Sequence, residues 1–427
     1  MVKNRIIPYE ILLESCKQTL GLVEYSIPEE ELIPMRHFMN ALIHYLEDCI
    51  NKAENGWPVI GHHFAFPSEI FYFFDVVPIV VEGVSYMLSG LLTEGAEPYY
   101  DAIEFRGHPY HTCSAQKATL GLTLEDYFKF DVICTSSGPC DNSIASYPIF
   151  RHIQKGQLLD FKVIDMPYWR DKRSCDFFGE ELVNLRDELA IILGQEPDEE
   201  KFRKAIEVEN KSLQLIKELN EIKKAVPCPV ESMNVPFNAA SIIFFSGRFE
   251  RIPYLEALIS HAKKNYKKGI KPNGEEKLRT IWPNMTLFFD IGYSEQLDRE
   301  KGISTLFDIF NYVFYDPINL NQDINDIIKD LSVQCMDYPM IRQSQSTADR
   351  MIEDMLYLCR EYKVDACIFT NHIACKNLQP IIQLLREALR EELGISLLSV
   401  DVDVGDKRYA SKESIAKEID SFVSTLY

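Results

Sequence analysis

The sequence lacks several patterns that would place the chain in a membrane or outside the cell. Its 427 residues contain no uninterrupted apolar run of the roughly 18 residues that a membrane-spanning helix needs. The nearest candidate, IFYFFDVVPIVVEGV, is interrupted by Asp75, Pro78 and Glu82. The N-terminal stretch carries charges every few residues and has no small-residue cleavage site, so no signal peptide is predicted. We expect a cytoplasmic protein that does not enter a membrane.

Clusters of positive charge are also missing. The chain has 45 Lys and Arg against 65 Asp and Glu, which gives a net charge of −20. Because binding to a nucleic acid duplex requires clustered Lys and Arg, no nucleic acid partner is expected. Neither a G-x-x-x-x-G-K-[ST] loop nor a G-x-G-x-x-G loop after a strand is present. These absences argue against an ATP or nicotinamide site in this chain.

Short apolar runs alternate with helical patterns along most of the chain. Runs such as FDVICT, residues 130–135, are continuously apolar, which indicates strands of parallel sheets covered on both faces. The fold class is therefore α/β, with two Rossmann-like domains and a helical middle segment. A second α/β stretch is expected to begin at TLFFDIGY, residues 286–293. The predicted organisation is an N-terminal helical segment 1–55, a first Rossmann-like domain 56–170, a helical segment 171–275 and a second Rossmann-like domain 276–427.

A similar short motif, the Cys-x-Asn echo, occurs in both α/β regions. DVICTSSGPCDN and DACIFTNHIACKN both begin at an Asp, run through a short strand with an early cysteine, and end in Cys-x-Asn after a polar loop. The shared context predicts two similarly built halves. Their loops would project from the carboxyl ends of parallel strands, where open α/β sheets bind ligands.

Eleven cysteines without the dense spacing of a secreted scaffold indicate metal or catalytic chemistry rather than disulfides. Three of them, Cys113, Cys140 and Cys375, lie in polar loops before expected helices, where the helix dipole stabilises a thiolate. The alternative for a free cysteine is a small buried hydrophobe. Cys134 and Cys367, inside apolar strands, fit that alternative.

The spacing of the three loop cysteines bears on which metal they would bind. No C-x2-C pair exists in the chain, which disfavours a structural zinc site. An iron–sulfur cluster usually takes four cysteines, so three distant ones would leave one iron with an open coordination position.

Five motifs in order, AFPSEIFYFFDVVPI, TCSAQKATLG, CTSSGPCDN, GEEKLRTIWPN and VDACIFTNHIACKNLQP, resemble the 2-hydroxyacyl-CoA dehydratase and benzoyl-CoA reductase family. The chain looks like its larger cluster-bearing subunit, of the 2-hydroxyglutaryl-CoA dehydratase D-component type, over about residues 57–417. The resemblance implies a 4Fe-4S cluster held between the two Rossmann-like domains by Cys113, Cys140 and Cys375.

The resemblance also implies a reaction and partners. The reaction is a radical elimination of water from a 2-hydroxyacyl-CoA, in which one electron enters the thioester carbonyl and the resulting ketyl radical expels the hydroxyl group. The implied partners are an ATP-hydrolysing iron–sulfur activator that supplies the electron and a homologous cluster-bearing subunit, in a heterodimer or a homodimer. Three alternatives stay open: a benzoyl-CoA reductase-like enzyme that reduces an aromatic acyl-CoA, an electron-transfer or double-cubane-type reductase, and a non-catalytic subunit whose cluster relays electrons to its homologue.

The sequence departs from the family in the loop GHHFAF, where dehydratase subunits often carry a hydroxyl residue. We predict that His62 and His63 are catalytic, because a histidine there could give the substrate oxygen a proton or ligate the open iron. The alternative is a loop histidine bonded only to backbone. His111 and His372 are candidates for hydrogen bonds to cluster sulfurs. Glu69 is expected to cap the following helix, with a role as a base as the alternative.

Overall fold

The computed structural model describes residues 6–26 and 29–426, and in them two parallel four-stranded sheets. The first sheet has the order β2-β1-β3-β4 and the second the order β6-β5-β7-β8, with every pairing parallel. The strands are β1 (Val59–His62), β2 (Val77–Val80), β3 (Val132–Ser136), β4 (Asp160–Ile164), β5 (Leu278–Trp282), β6 (Ile303–Asp308), β7 (Ala366–His372) and β8 (Ser396–Val402).

The two sheets have the same topology. In each, the first strand lies inside the sheet, the second pairs on one side of it, and the third and fourth follow on the other side. The predicted fold class, two Rossmann-like parallel α/β units, is therefore confirmed. The two similarly built halves expected from the Cys-x-Asn echo are present as well.

Helices precede, join and cover the sheets. None of them, within the described part of the chain, is long and apolar enough to cross a bilayer. The predicted helical segments 1–55 and 171–275 contain α1 and α2 and α7 to α10, while the exact domain boundaries stay predictions. The helices are α1 (Ile7–Ser26), α2 (Glu29–Glu54), α3 (Val81–Leu91), α4 (Glu97–Glu104), α5 (Ser114–Leu124), α6 (Asp141–Ile153), α7 (Lys172–Leu193), α8 (Glu199–Lys223), α9 (Asn234–Phe244), α10 (Arg251–Lys268), α11 (Tyr293–Lys301), α12 (Ile324–Met336), α13 (Ile341–Ser344), α14 (Ala348–Glu361), α15 (Ile382–Leu393) and α16 (Lys412–Val423).

The second α/β stretch begins earlier than the apolar pattern predicted. Its first strand is β5, whereas residues 286–292 form turns and irregular backbone and Tyr293 begins α11, so the predicted start was wrong. In the sequence, Arg279 interrupts the apolar run of this strand. In the structure, Arg279 is buried and pairs with Glu276 at 2.8 Å. The stretch 286–293 is apolar because it fills the core, with the Phe288 ring stacked on Tyr86 at 4.0 Å between centroids.

Helix α5 packs closely against α4. Gly121 on α5 faces the backbone carbonyl of Tyr99 on α4, and a methyl group added at Gly121 would overlap that carbonyl. A glycine is required here by close approach. The beginning of α5, at Ser114, follows Cys113 directly.

We predict that Gly121→Ala lowers the free energy of unfolding by about 1–3 kcal/mol, because overpacking forces the two helices apart. The matched control is Gly21→Ala on α1, where no described atom lies within 4 Å of an added methyl group. The control should be neutral or stabilise by up to about 1 kcal/mol, since Ala is the better helix former. Denaturant titration measures the free energy of unfolding of both variants. If Gly121→Ala were as stable as the wild type, the close contact between α5 and α4 would be contradicted.

Candidate functional site

The three loop cysteines lie at the edge where the two halves meet. Cys113 directly precedes α5 and Cys140 directly precedes α6, as the sequence predicted for helix starts. Cys375 lies in a turn after β7, where its N–H donates to the His372 carbonyl at 2.8 Å. The first two cysteines belong to the first half and the third to the second half. The site is therefore formed by both halves.

A single side chain, Asn142, joins all three cysteine loops. It lies two residues after Cys140 and is 7% exposed. Its Oδ1 accepts a hydrogen bond from the Cys113 N–H at 3.3 Å, and its Nδ2 donates to the Ala374 carbonyl at 2.6 Å. Ala374 is the neighbour of Cys375, so the amide holds the three loops in one arrangement.

Two further contacts close the same junction. The side-chain amide of Asn377 donates to the Pro139 carbonyl, which lies next to Cys140. Lys376 pairs with Asp141 at 3.4 Å. Each of these four partners lies one or two residues from a loop cysteine, so these contacts between the halves lie beside the thiols.

Desolvation by burial favours the protonated form of all three thiols. Burial raises the pKa of Cys140 to about 12, raises that of Cys375, and holds that of Cys113 well above the usual range. The charges of Cys140 and Cys375 each raise the pKa of Cys113 further, so the three thiols are close enough to interact. The sequence-based expectation of stabilised thiolates is thus outweighed by burial, and a metal would have to displace the protons.

Each sulfur nevertheless faces backbone N–H donors of the kind a thiolate ligand requires. Hydrogen bonds from the backbone of Ala115 lower the pKa of Cys113, and those of Ser143 lower the pKa of Cys140. The backbone of Asn377 and Leu378 has the same effect on Cys375. Such donors orient and stabilise metal-bound sulfur.

The donor set bears on the kind of cofactor that the site could take. Among residues 6–26 and 29–426, no three His, Cys, Asp or Glu side chains form a group that could hold one metal ion. In a multi-iron cluster each cysteine binds its own iron, and thiols with backbone N–H donors are the ligand type that such a cluster takes.

The two predicted catalytic histidines lie in different surroundings. His63 contacts Ser136 at 3.1 Å through Nδ1 and lies 3.8 Å from Glu82 through Nε2, on the side that carries α6. His62 packs its ring against Phe71, with centroids 5.2 Å apart, and contacts the His63 carbonyl at 3.0 Å. Burial lowers the pKa of His62 to about 4 and that of His63 to about 3, so both are neutral near pH 7. Their catalytic role stays a prediction.

Glu82, the first-turn carboxylate of α3, is a candidate functional residue that sequence reasoning missed. It is 3% exposed and accepts hydrogen bonds from the Phe64 N–H at 3.1 Å and from Ser143 at 3.0 Å. Burial raises its pKa to about 7, and its charge in turn raises the pKa of Cys140. A signal existed, because Glu82 is the one charged residue between Asp75 and Glu94 in the sequence.

Glu69 does not cap a helix, and that prediction was wrong. The following element is a 3₁₀ turn, Ser68–Phe73, whose start has no side-chain cap. Glu69 is instead 1% exposed and accepts hydrogen bonds from the hydroxyls of Tyr338, at 3.1 Å, and Ser246. Burial and then the charge of Glu209 raise its pKa to about 7. The carboxyl group lines a cavity of about 50 Å³ that His62 also borders.

Of the two histidines proposed to donate to sulfurs, His372 is well placed. Its Nε2 lies 3.0 Å from the Cys113 sulfur. His111 is exposed, and its ring meets Tyr110 edge-on.

Fold and site together define a class: an α/β protein of two similar parallel halves that share a thiol-lined site at their junction. The sequence profile of the family described as "2-hydroxyglutaryl-CoA dehydratase, D-component" matches residues 63–426. The chain therefore belongs to this family of 2-hydroxyacyl-CoA dehydratase components, as its motifs predicted.

A named relative is more distant. The chain is 21% identical over 272 residues to the alpha subunit of lactoyl-CoA dehydratase from Anaerotignum propionicum. The match covers 62% of this chain and 62% of the relative, which is less than two thirds of that protein's length. The relative's name describes a subunit, so it acts as a component of a larger enzyme.

We predict that Glu69→Gln changes how stability depends on pH. Because the folded-state pKa is about 7 against a usual 4.5, the folded chain keeps a proton that the unfolded chain releases. The wild type therefore loses stability as the pH rises from 4.5 past 7. Relative to the wild type, the variant should gain about 2–3 kcal/mol in unfolding free energy between about pH 5 and pH 8.

Denaturant titrations at the two pH values measure this difference. Glu94→Gln, at an exposed position, is the matched control and should show no such gain. If the difference in unfolding free energy between Glu69→Gln and the wild type were the same at both pH values, the raised pKa of the buried Glu69 carboxyl would be contradicted.

Proposed function

We propose that the chain is the iron–sulfur subunit of an enzyme that eliminates water from a 2-hydroxyacyl-CoA. The observation that carries the proposal is the meeting of the Cys113, Cys140 and Cys375 loops around Asn142. Membership of the dehydratase-component family supports the reaction class. The loops of Cys140 and Cys375 follow β3 and β7, at the carboxyl ends of parallel strands, where open α/β folds bind ligands.

In this proposal the three thiols hold a 4Fe-4S cluster as ligands from both halves, and one iron keeps no cysteine ligand. The cluster, when bound, would supply a single electron to the thioester carbonyl, which makes loss of the hydroxyl group and of the β-proton feasible. Asn142 and the backbone N–H groups at each thiol hold the ligands in place. Cys113, His372 and Glu82 are buried, which strengthens the electrostatic contacts among these groups.

Glu82 is the residue that we propose as the base for the β-proton. A general base works best when its pKa lies near the working pH, and burial raises the pKa of Glu82 to about 7. Tyr147 contacts the carboxyl group at 3.3 Å and Gln116 at 3.4 Å, so its orientation is fixed. His63 stands beside it as a neutral imidazole, suited to a hydrogen bond with the substrate oxygen.

The proposed partners are those that the family resemblance implies. The electron would come from a separate ATP-hydrolysing iron–sulfur activator, and the lack of a phosphate-binding loop in this sequence agrees with an ATP site on another protein. A homologous cluster-bearing subunit would accompany the chain, and the subunit name of the lactoyl-CoA dehydratase relative supports a multi-subunit enzyme. The acyl-CoA is the substrate.

The cysteines give the first test. Cys113→Ala, Cys140→Ala and Cys375→Ala should each remove the visible absorption and the iron of anaerobically prepared protein, because each removes a ligand. Cys49→Ala on α2 and Cys134→Ala on β3 are matched buried controls that should keep both. Equal loss in the controls, or full retention in any of the three, would overturn the ligand assignment.

The iron content of the same preparations separates the alternatives within the family. About four irons per chain fit the proposal, whereas about eight would indicate a double-cubane-type reductase. Turnover of an aromatic acyl-CoA with no turnover of lactoyl-CoA or 2-hydroxyglutaryl-CoA would indicate the reductase instead.

Glu82→Gln tests the proposed base. Dehydration of lactoyl-CoA or 2-hydroxyglutaryl-CoA, assayed with the activator, should fall by about 100-fold or more, because a positioned base contributes on that order. Iron content should be unchanged, since Glu82 is not a ligand. Glu94→Gln, in the exposed turn after α3, serves as the control for the charge change. A dehydration rate in Glu82→Gln equal to that of the wild type would contradict the role of Glu82 as the base.

A further inference from the structure

The Cys113 sulfur has a side-chain environment that crosses between the two halves. His372, the last residue of β7, places its Nε2 3.0 Å from the sulfur, and the Tyr86 hydroxyl lies 3.9 Å away. Cys113 is 7% exposed and His372 is 1% exposed. The imidazole and the thiol are therefore held against one another away from solvent.

The position of the proton on His372 follows from the contact on its other nitrogen. The backbone N–H of Val404 points at Nδ1 from 3.4 Å. Because a backbone N–H can only donate, Nδ1 must present its lone pair, and a neutral imidazole then carries its proton on Nε2. The Nε2–H faces the Cys113 sulfur, so the sulfur is the acceptor of this hydrogen bond.

The carboxylate beside the ring does not compete for that proton. Asp403 Oδ1 lies 3.8 Å from Nδ1, which is too long for a hydrogen bond. The same oxygen already accepts from the N–H groups of Gly405, at 3.0 Å, and Asp406, at 3.1 Å, and from the Ser114 hydroxyl. Asp403 therefore shapes the turn that presents the Val404 N–H.

The backbone of His372 is fixed as well. Its carbonyl accepts from the Cys375 N–H at 2.8 Å and from the Gln379 side chain at 3.1 Å. The imidazole is thus held from three directions: by β7, by the Cys375 turn and by the segment after β8. Its orientation toward Cys113 is built into the fold.

We propose that His372 is a positioning residue that donates its Nε2–H to the sulfur of Cys113 and thereby raises the reduction potential of the cluster, with Val404 fixing the tautomer. The inference rests on the proposed function for the cluster. A hydrogen bond to a ligand sulfur stabilises the more negative, reduced state, and so raises the potential. Because His372 donates through its side chain, a substitution can remove this hydrogen bond, and it leaves the Ser143 donors at Cys140 and the backbone donors at Cys375 in place.

A pair of variants isolates the hydrogen bond. In His372→Gln, the amide nitrogen can donate to the sulfur while the amide oxygen accepts from Val404, so the midpoint potential should stay near the wild-type value. In His372→Leu, the donor is lost, and the potential should shift to a more negative value. The potential is measured by an EPR-monitored redox titration of the anaerobic full chain, after iron analysis confirms that each variant holds its cluster.

Controls separate this inference from the proposed function. His111→Leu changes an exposed histidine two residues from Cys113 and should leave the potential unchanged. An unshifted potential in His372→Leu, or the same shift in His372→Gln, would overturn the inference while the cluster assignment stands. A wild-type chain without iron would instead overturn the proposed function.

A second measurement tests the tautomer without any iron. In the full chain labelled with ¹⁵N-histidine, the ring nitrogen that carries the proton is identified from its ¹⁵N shift, and the His372 signals are assigned by their loss in His372→Gln. We expect Nε2–H. A proton on Nδ1, or on both nitrogens at neutral pH, would contradict the role given to Val404.

Discussion

The site depends on one contact, the amide of Asn142 between the loop after β3 and the loop after β7. Its oxygen accepts from Cys113 and its nitrogen donates to Ala374, while its own backbone lies two residues from Cys140. Parallel sheets bring loops to a common edge, but they do not bring particular thiols together. The buried amide does this, because leaving either of its groups unpaired would be costly.

Burial sets the chemistry of the groups around that contact. It raises the pKa of the thiols and of Glu82, and it lowers the pKa of His63, so every one of these groups is favoured in its neutral form. A neutral, dry site binds a metal only by releasing protons. It also keeps a carboxyl group near neutral pKa, as general base chemistry requires. Metal binding and proton transfer would thus draw on the same physical property.

Much of the fold could be predicted because its signals are local. Continuous apolar runs indicate buried parallel strands, and the Cys-x-Asn echo indicates two equivalent loops. The prediction failed at β5, where a buried Arg279 paired with Glu276 breaks the apolar run. It failed again at Glu69, whose partners Tyr338 and Ser246 are distant in sequence. Local patterns carry no information on such pairings.

The candidate site was predictable in part for the same reason. The cysteine loops stand out by their polar context, and the fold brings them together, while their role as iron ligands stays a prediction. Glu82 was overlooked because its charge in an apolar run looked like an interruption. Its meaning depends on Gln116, Ser143 and Tyr147, which converge on it only in three dimensions.

The most direct measurement of the central claim is an anomalous difference map, recorded at the iron absorption edge from a crystal of anaerobically prepared protein. The account predicts one cluster-sized peak bounded by the sulfurs of Cys113, Cys140 and Cys375, with no fourth cysteine in contact. A map without a peak at this junction, or a peak bound elsewhere in the chain, would contradict it.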